Sequence, residues 1–167
     1  MDLPVADVDM ATDAAPEATI AAAQAAGLCA VPTGIDHGTI TVVSGGIGHE
    51  VTTFRRDEET DGRHARVAFS ADLAEDAARR DFTMNALYAT REGEVIDPLG
   101  GLPDLRAGRV RFVGDPEARI REDYLRILRF FRFFARYGTD GPDPEGLAAC
   151  AALAEGLSTL SRERVTM

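Results

Sequence analysis

The segment GTITVVSGGIGHEVTTFRR constrains the fold most strongly, because two β-branched runs flank a pair of glycines. β-Branched residues favour strands, and a Gly-Gly pair supplies the positive φ angles that a two-residue hairpin turn requires. We therefore predict two strands near residues 39–44 and 49–55 that form a hairpin around Gly45 and Gly46.

The residues before this hairpin add a strand and a helix. Residues 4–11 are apolar apart from two aspartates and predict a short buried strand. The segment PEATIAAAQAAG predicts a helix with Pro16 in its first turn and Gly27 as its stop. A strand followed by a helix and a hairpin indicates the α/β (α+β) fold class.

The patterning changes near residue 115. Residues 55–70 predict a polar loop that ends in a short strand, ADLAEDAARRDFTMNALYAT predicts a helix, and EVIDP predicts a further strand. A long helix follows, with Asp115 as N-cap and Pro116 in its first position, and a second, alanine-rich helix covers about 147–156. A domain boundary near 115 therefore separates a mixed α/β region from a helical one.

Charge and cysteine content exclude several classes of site. The net charge is −10, and all 18 basic residues are arginine, so a P-loop site, which needs lysine, is excluded. Residues 119–136 hold six arginines against one glutamate and one aspartate, a local charge of +4 that favours an anion site. Cys29 and Cys150 lack metal-ligand spacing, which argues against structural zinc.

We expect a cytoplasmic protein. The two distant cysteines fit a reducing compartment, and the chain has neither an apolar run of about 18 residues nor the basic start of a signal peptide. The acidic net charge would not draw the whole chain onto nucleic acid or an anionic membrane. We predict no membrane and no DNA among its partners.

Two aspartates in the first predicted strand form a candidate metal site. Asp7 and Asp9 are two positions apart, so their side chains share one face of the strand, while Val8 and Met10 face the core. Paired carboxylates suit Mg²⁺, which prefers oxygen ligands and shares itself with substrate phosphates. The alternative interpretation of this pattern is a solvated strand end.

Three motifs in a fixed order carry a family resemblance. DVDMAT, RRDFTMNALY and REDYLRILRFFRF resemble the motifs of the tRNA nucleotidyltransferase and poly(A) polymerase family, in its bacterial CCA-adding branch. EVTTFRRDEETDGRH, IDPLGGLPDL and FVGDPEARIRED match the same family at similar spacing, so the resemblance covers roughly residues 3–137. It implies a polymerase-beta-like head domain with a mixed sheet, followed by the start of an all-helical neck.

The resemblance implies site residues near the middle of the chain. Asp7 and Asp9 would be the catalytic metal ligands, with Mg²⁺ as cofactor. Arg80 would contact the nucleotide and Asp81 its sugar, whereas the RRD segment on its own favours a helix-surface ion pair. Glu50 is a possible third metal carboxylate, because its strand could lie beside that of the aspartates.

The helix predicted from 116 carries the remaining candidates. Asp123 and Arg126 are i, i+3 neighbours on one predicted helix face, so they form either a helical salt bridge or an acceptor and donor set that reads the edge of a base. The resemblance implies base reading, which selects CTP and ATP without a nucleic-acid template. Arg129 and Arg132 follow at steps of three beside apolar residues, and a triphosphate is their natural partner.

The resemblance also predicts segments that this sequence does not contain. Family members carry a Gly-Gly-x-x-Arg-Asp segment shortly before the two aspartates and continue through further helices that bind tRNA. We therefore expect a head domain over residues 1–114, without its first strand and Gly-Gly turn, and the start of a helical neck and RNA-binding region over 115–167. A fragment, a misplaced start and an inactive product stay open.

The predicted function is Mg²⁺-dependent, template-independent addition of CCA to tRNA 3′ ends, with tRNA, CTP and ATP as partners. Two alternatives remain. One is a poly(A) polymerase or A-only adder of the same family, and the other is an inactive nucleotide- or RNA-binding fragment.

Overall fold

The computed structural model describes residues 8–58 and 66–166, and the chain divides into two compact units between Asp76 and Ala77. The elements of the first unit are β1 (Met10–Thr12), α1 (Pro16–Ala25), β2 (Cys29–Gly34), β3 (Thr39–Ser44), β4 (Ile47–Thr53), β5 (Arg55–Glu58) and β6 (Arg66–Phe69). After α2 (Leu73–Ala78), those of the second unit are β7 (Tyr88–Ala89), β8 (Val95–Ile96), α3 (Gly101–Arg106), α4 (Pro116–Glu122), α5 (Leu125–Tyr137), α6 (Pro144–Ala152) and α7 (Arg162–Thr166). No helix within these residues is long and apolar enough to cross a membrane.

The first unit is built on a four-stranded sheet with the order β1-β4-β3-β2. β1 is parallel to β4, whereas β4 with β3 and β3 with β2 are antiparallel, so the mixed sheet is confirmed. The predicted hairpin is confirmed as β3 and β4. Its turn residues Gly45 and Gly46 have φ angles of 59° and 82°, which glycine adopts without steric cost.

The first strand differs from its prediction. β1 covers Met10–Thr12, and Val8 and Met10 are 59% and 41% exposed, so the prediction that both face the core is wrong. The reason is that β1 lies at one end of the described sheet and pairs with β4 on one side, which leaves surface around it open. Residues 4–7 of the predicted strand lie outside the described residues.

Helix α1 covers one part of this sheet. It packs against β2 and β3, and Pro16, Ala23 and Ile40 are buried. The helix begins at Pro16, whose fixed φ suits the first turn, and Gly27 follows its end with φ 73°. The predicted start and stop of this helix are both confirmed.

A second pair of strands occupies part of the predicted polar loop. β5 and β6 are antiparallel, with Arg55 opposite Phe69. The Asp76 carboxylate accepts a hydrogen bond from the Arg55 backbone N–H at 3.1 Å, which gives the start of β5 a partner outside the strand pair. The short strand predicted at the end of this segment is confirmed as β6, whereas the prediction of a loop is wrong for Arg55–Glu58, which form β5 despite their polar composition. Residues 59–65 lie outside the described part of the chain.

The second unit has an aromatic core. Phe82, Phe112 and Phe130 are at most 2% exposed. The ring centroids of Phe82 and Phe112 lie 5.0 Å apart, and the rings of Phe112 and Phe130 stack at 5.4 Å. Such pairs contribute about 0.5–1.5 kcal/mol each beyond the burial of apolar area. The core therefore ties the RRDF segment to helix α5.

Two helices of this region are shorter than the sequence pattern predicts. The helix predicted from ADLAEDAARRDFTMNALYAT ends at Ala78, because Phe82 pairs with Phe112 as an extended residue instead. The long helix predicted from Pro116 ends at Glu122 and resumes at Leu125, so Asp123 and Arg126 do not share one helix. The predicted N-cap is confirmed, since the Asp115 carboxylate accepts the Ala118 N–H at 2.7 Å.

The alanine-rich helix α6 begins earlier than predicted. It covers Pro144–Ala152, and the Asp143 carboxylate caps it by accepting the Gly146 N–H at 2.9 Å. The Asp-Pro pair therefore acts as a helix start rather than as part of the preceding turn. A Cβ at Gly146 would lie 3.0 Å from the Phe130 ring, so the absence of a side chain lets α6 approach the aromatic core.

Candidate functional site

The turn that carries Asp81 is fixed from inside the second unit. Asp81 is 6% exposed, and its Oδ1 accepts hydrogen bonds from the Phe82 N–H at 3.0 Å and the Asn85 side-chain amide at 2.9 Å. Its backbone carbonyl accepts the Val113 N–H at 3.0 Å. A short polar residue that bonds to its own backbone neighbours favours a turn over a helix, which explains why the RRD segment leaves the helical path.

The Asp81 carboxylate also holds Arg129, the second arginine of α5. Its Oδ2 accepts the Nε–H of Arg129 at 2.5 Å, and the Arg129 guanidinium lies over the Phe133 ring with 5.4 Å to its centroid. Phe133 in turn packs against Phe82 at 5.0 Å. The aromatic core thus brings RRDF and α5 together, and the ion pair fixes the direction of a guanidinium that is 34% exposed.

The break between α4 and α5 places Asp123 outside both helices. Its backbone is extended, with φ −157° and ψ 108°, and its Oδ1 accepts the Leu125 N–H at 3.1 Å. Aspartate competes with the helical backbone through such local bonds, so it favours a helix start over a helix interior. The carboxylate is therefore presented by a turn and not by a helix face.

Arg126 lies in the first turn of α5, and three acceptors of its own unit hold its guanidinium. Its Nη1 donates to the Arg119 carbonyl at 2.9 Å and to Glu122 at 2.5 Å, and its Nη2 donates to the Arg79 carbonyl at 3.4 Å. The side chain is 15% exposed. Because a guanidinium has five N–H donors, these contacts fix its plane and leave donors for a ligand. The predicted alternative, a helical salt bridge between Asp123 and Arg126, is replaced by the pair between Glu122 and Arg126.

Of the other two predicted arginines, Arg80 is half-buried and Arg132 is exposed. The Arg80 guanidinium lies 5.9 Å from the centroid of the Tyr88 ring, a cation–π distance. Arg132 is exposed on α5 beside the half-exposed Phe131. The second unit therefore presents guanidinium donors around the RRD turn and the start of α5, with Asp123 as the acceptor among them. Such a set can bind phosphate oxygens and read a base edge.

The predicted metal ligands belong to the first unit. Asp7 lies outside the described residues, and Asp9 is exposed directly before β1. β1 pairs in parallel with β4, and Met10 is opposite Val51, so the strand of Glu50 does lie beside that of Asp9. Glu50 is exposed. In residues 8–58 and 66–166, no group of three or more His, Cys, Asp or Glu side chains could hold a metal ion.

Two contributors to the site were missed by sequence reasoning. Glu122 accepts from both Arg119 and Arg126, and its spacing of three and four residues from them is a signal that could have identified it. Arg164 of α7 pairs with the Asp123 carboxylate at 2.9 Å. Because 41 residues separate these two, no local pattern could have indicated the contact.

Residues 1–111 match the sequence profile of the poly A polymerase head domain, which covers more than half of the chain. The chain belongs to this family. It is also 45% identical, over 163 residues, to the human mitochondrial CCA tRNA nucleotidyltransferase 1, a match that covers 95% of this chain and 37% of that protein. The chain thus spans about two fifths of the length of such relatives.

Solved structures support the same family. The fold is similar to that of the Bacillus stearothermophilus CCA-adding enzyme in complex with CTP, with a TM-score of 0.86 and 39% identity over 98% of this chain and 38% of that one. It is also similar to a tRNA nucleotidyltransferase complexed with a primer tRNA and an incoming ATP analog, with a TM-score of 0.73 and 30% identity over 98% of this chain and 46% of that one. The predicted family and fold class are confirmed. The predicted domain limits, 1–114 and 115–167, stay a prediction.

Proposed function

We propose that this chain carries the nucleotide-selecting and catalytic part of a template-independent nucleotidyltransferase that adds C and A to tRNA 3′ ends. The observation that carries the proposal is the arrangement at the start of α5, where Asp123 leaves the helix and Arg126 is held by the carbonyls of Arg79 and Arg119. The likeness to a CCA-adding enzyme in complex with CTP supports it.

Base selection requires an acceptor and a donor in fixed positions. The amino groups of cytosine and adenine are donors, whereas uracil and guanine present carbonyl oxygens at the corresponding position. A carboxylate such as Asp123 accepts a hydrogen bond from the amino group of cytosine or adenine and repels the carbonyl oxygen of uracil or guanine. Arg126 supplies the complementary N–H donors, and its own protein contacts keep the guanidinium from turning away.

The arginines other than Arg126 are suited to binding phosphate. Arg129 is directed by Asp81, and Arg132 is exposed on the same helix one turn further on. We propose that these two, with Arg80, bind the triphosphate. The buried Asp81 then acts by holding Arg129, and a contact from Asp81 to the sugar, predicted from the family resemblance, would use a lone pair that its present donors leave.

We assign the metal site to Asp7 and Asp9. Asp9 fits a hard cation, because its carboxylate is exposed at the sheet end beside the strand of Glu50. Mg²⁺ bound there would lower the barrier to attack by the primer hydroxyl and neutralise the leaving pyrophosphate. The two aspartates would supply anionic oxygens to the cation. The third ligand, the tRNA partner and a cytoplasmic location stay predictions.

The test is incorporation of labelled CTP and ATP into a tRNA that lacks its CCA end. We expect the wild-type protein to incorporate both, and Asp9→Asn to lose incorporation while nucleotide binding, followed by equilibrium titration, persists. Asp13→Asn, which removes a carboxylate just after β1, is the matched control and should retain activity.

Each alternative has its own outcome. Incorporation of ATP alone would indicate a poly(A) polymerase or A-only adder. Nucleotide binding without incorporation would indicate a binding protein without catalysis. Full activity of Asp9→Asn would contradict the metal assignment.

A further inference from the structure

The ion pair between Arg164 and Asp123 joins the end of the described chain to the start of α5. The Arg164 Nη2 donates to the Asp123 Oδ2 at 2.9 Å, and the two side chains are 51% and 31% exposed. Arg164 belongs to α7, which packs against α5. The contact is therefore made by a separate element and not by a neighbour in sequence.

This contact leaves the carboxylate of Asp123 with a defined orientation. The Leu125 N–H binds one of its oxygens and Arg164 binds the other, so rotation about the bond to the carboxylate would break at least one hydrogen bond. Each carboxylate oxygen has two lone pairs, and each of these contacts uses one. One lone pair on each oxygen remains for a base amino group.

The Asp123 side chain would be poorly fixed without Arg164. The backbone at residue 123 is extended between two helices, and the remaining described contact of the carboxylate is the bond to Leu125. A carboxylate held by one hydrogen bond can turn out of the plane in which it accepts from a base. Reading a base edge depends on such a plane, because a hydrogen bond to the base discriminates only when its geometry holds.

We propose that Arg164 is a positioning residue that holds Asp123 in the orientation needed to select cytosine and adenine. This inference rests on the proposed function, in which Asp123 reads the base. Arg164 does not itself touch the nucleotide in this account, and its effect on selection passes through Asp123.

The test compares equilibrium dissociation constants for CTP and UTP, and for ATP and GTP, in the presence of Mg²⁺. An exposed ion pair contributes up to about 1 kcal/mol, so we expect Arg164→Ala to reduce the preference for CTP over UTP about fivefold. Arg164→Lys keeps one charged donor and should restore most of the preference, because the pair uses a single Nη2–H.

Arg121→Ala is the matched control. Arg121 pairs with Glu117 on the exposed side of α4 and is 55% exposed, so its removal takes away the same charge at similar exposure. We expect its preference for CTP over UTP to equal that of the wild type. A drop of the same size as in Arg164→Ala would assign the effect to net charge and overturn the proposal.

A double-mutant cycle separates positioning from other roles. In the Asp123→Ala background, adding Arg164→Ala should change the preference no further, since the residue that it positions is gone. Independent, additive effects would overturn the proposal, as would an unchanged preference in Arg164→Ala.

The two remaining outcomes are distinct. Tighter binding of CTP and ATP by Arg164→Ala would mean that Arg164 competes with the base for Asp123, which contradicts positioning. A wild-type protein that binds the four nucleotides equally would contradict the proposed function itself, whereas a selective wild type with a selective Arg164→Ala variant contradicts only the role of Arg164.

Discussion

The two units hold their predicted site residues in different ways. In the second unit, Asp81 is 6% exposed and its carboxylate meets three hydrogen-bond donors, beside a core of packed aromatic rings. In the first unit, Asp9 is exposed before an end strand, and the neighbouring Met10 is 41% exposed. The residues proposed to bind the nucleotide are thus fixed by the interior of their unit, whereas Asp9, proposed as a metal ligand, lies on open surface.

The difference follows from where each residue stands in its element. Phe82 directly follows Asp81, and its ring packs against Phe133 of α5. Burial of this ring therefore places the Asp81 carboxylate next to Arg129 of the same helix. Asp9 precedes a strand of three residues that pairs with β4 on one side. The Asp81 carboxylate is therefore oriented by packing without any ligand, whereas a bound cation would be needed to orient the carboxylate of Asp9.

The largest expected effect tests the aromatic core. Phe82→Ala should lower the free energy of unfolding of the second unit by about 3–5 kcal/mol, because the ring is fully buried among other rings. Tyrosine fluorescence during urea unfolding measures this, since all three tyrosines lie beyond residue 77.

The matched control lies in the first unit. Met10→Ala should change stability by less than about 1 kcal/mol, because that side chain is already 41% exposed. Equal losses for the two variants would break the contrast between a packed and an open site.

The next effect tests the ion pair inside the second unit. Asp81→Asn should cost about 1–3 kcal/mol, because Arg129 loses a charged acceptor beside the core. The same urea titration measures it. Glu117→Gln removes one charge from an exposed pair on α4 and should stay within about 0.5 kcal/mol. A loss below that value for Asp81→Asn would mean that the pair does not hold Arg129.

A smaller effect concerns the start of α3. Burial tends to raise the pKa of Asp97, but hydrogen bonds from the Leu102, Gly101, Gly100 and Leu99 N–H groups outweigh it and lower the pKa. The stabilisation is therefore complete above the unfolded pKa of about 3.9 and is lost as the pH falls through the lower folded value.

Asp97→Ala should then cost about 1 kcal/mol at pH 7 and less at pH 2 to 3, measured by urea unfolding at each pH. Asp97→Asn is the matched variant, because it keeps an oxygen acceptor and removes the titrating group. A difference that does not shrink at low pH would contradict the capping role.

A separate comparison, of reaction rates and not of stability, concerns the two cysteines. Burial raises the pKa of the Cys150 thiol to about 11, and this side chain is 2% exposed in the core of the second unit, whereas Cys29 is exposed on β2. Iodoacetamide at pH 8 should alkylate Cys29 at least about 100-fold faster, read by mass spectrometry of the native protein. Similar rates would mean that the core of the second unit opens readily.

Local patterns predicted the elements that local forces decide. The hairpin at Gly45 and Gly46 and the cap at Asp115 follow from turn and capping chemistry within a few residues, and both are confirmed. The apolar spacing from 116 to 137 also indicated helix correctly on either side of Asp123. It failed at Asp123 itself, because one bond from its carboxylate to the Leu125 N–H competes with the helical path.

Contacts between distant segments could not be read from the sequence. The pair between Asp81 and Arg129 spans 48 positions and depends on how Phe82 and Phe133 pack. The motif residues were identified through the family resemblance, but their geometry was not. Likewise, the exposure of Met10 depends on which strand occupies the end of the sheet, which an apolar run does not specify.

The most direct test of the central claim is the preference of the protein for CTP over UTP in equilibrium binding, compared between the wild type and Asp123→Ala. We expect the wild type to prefer CTP clearly and Asp123→Ala to show a preference about tenfold lower, while overall nucleotide affinity is retained through Arg129 and its neighbours. An Asp123→Ala variant that keeps the wild-type preference would contradict the assignment of base selection to the start of α5.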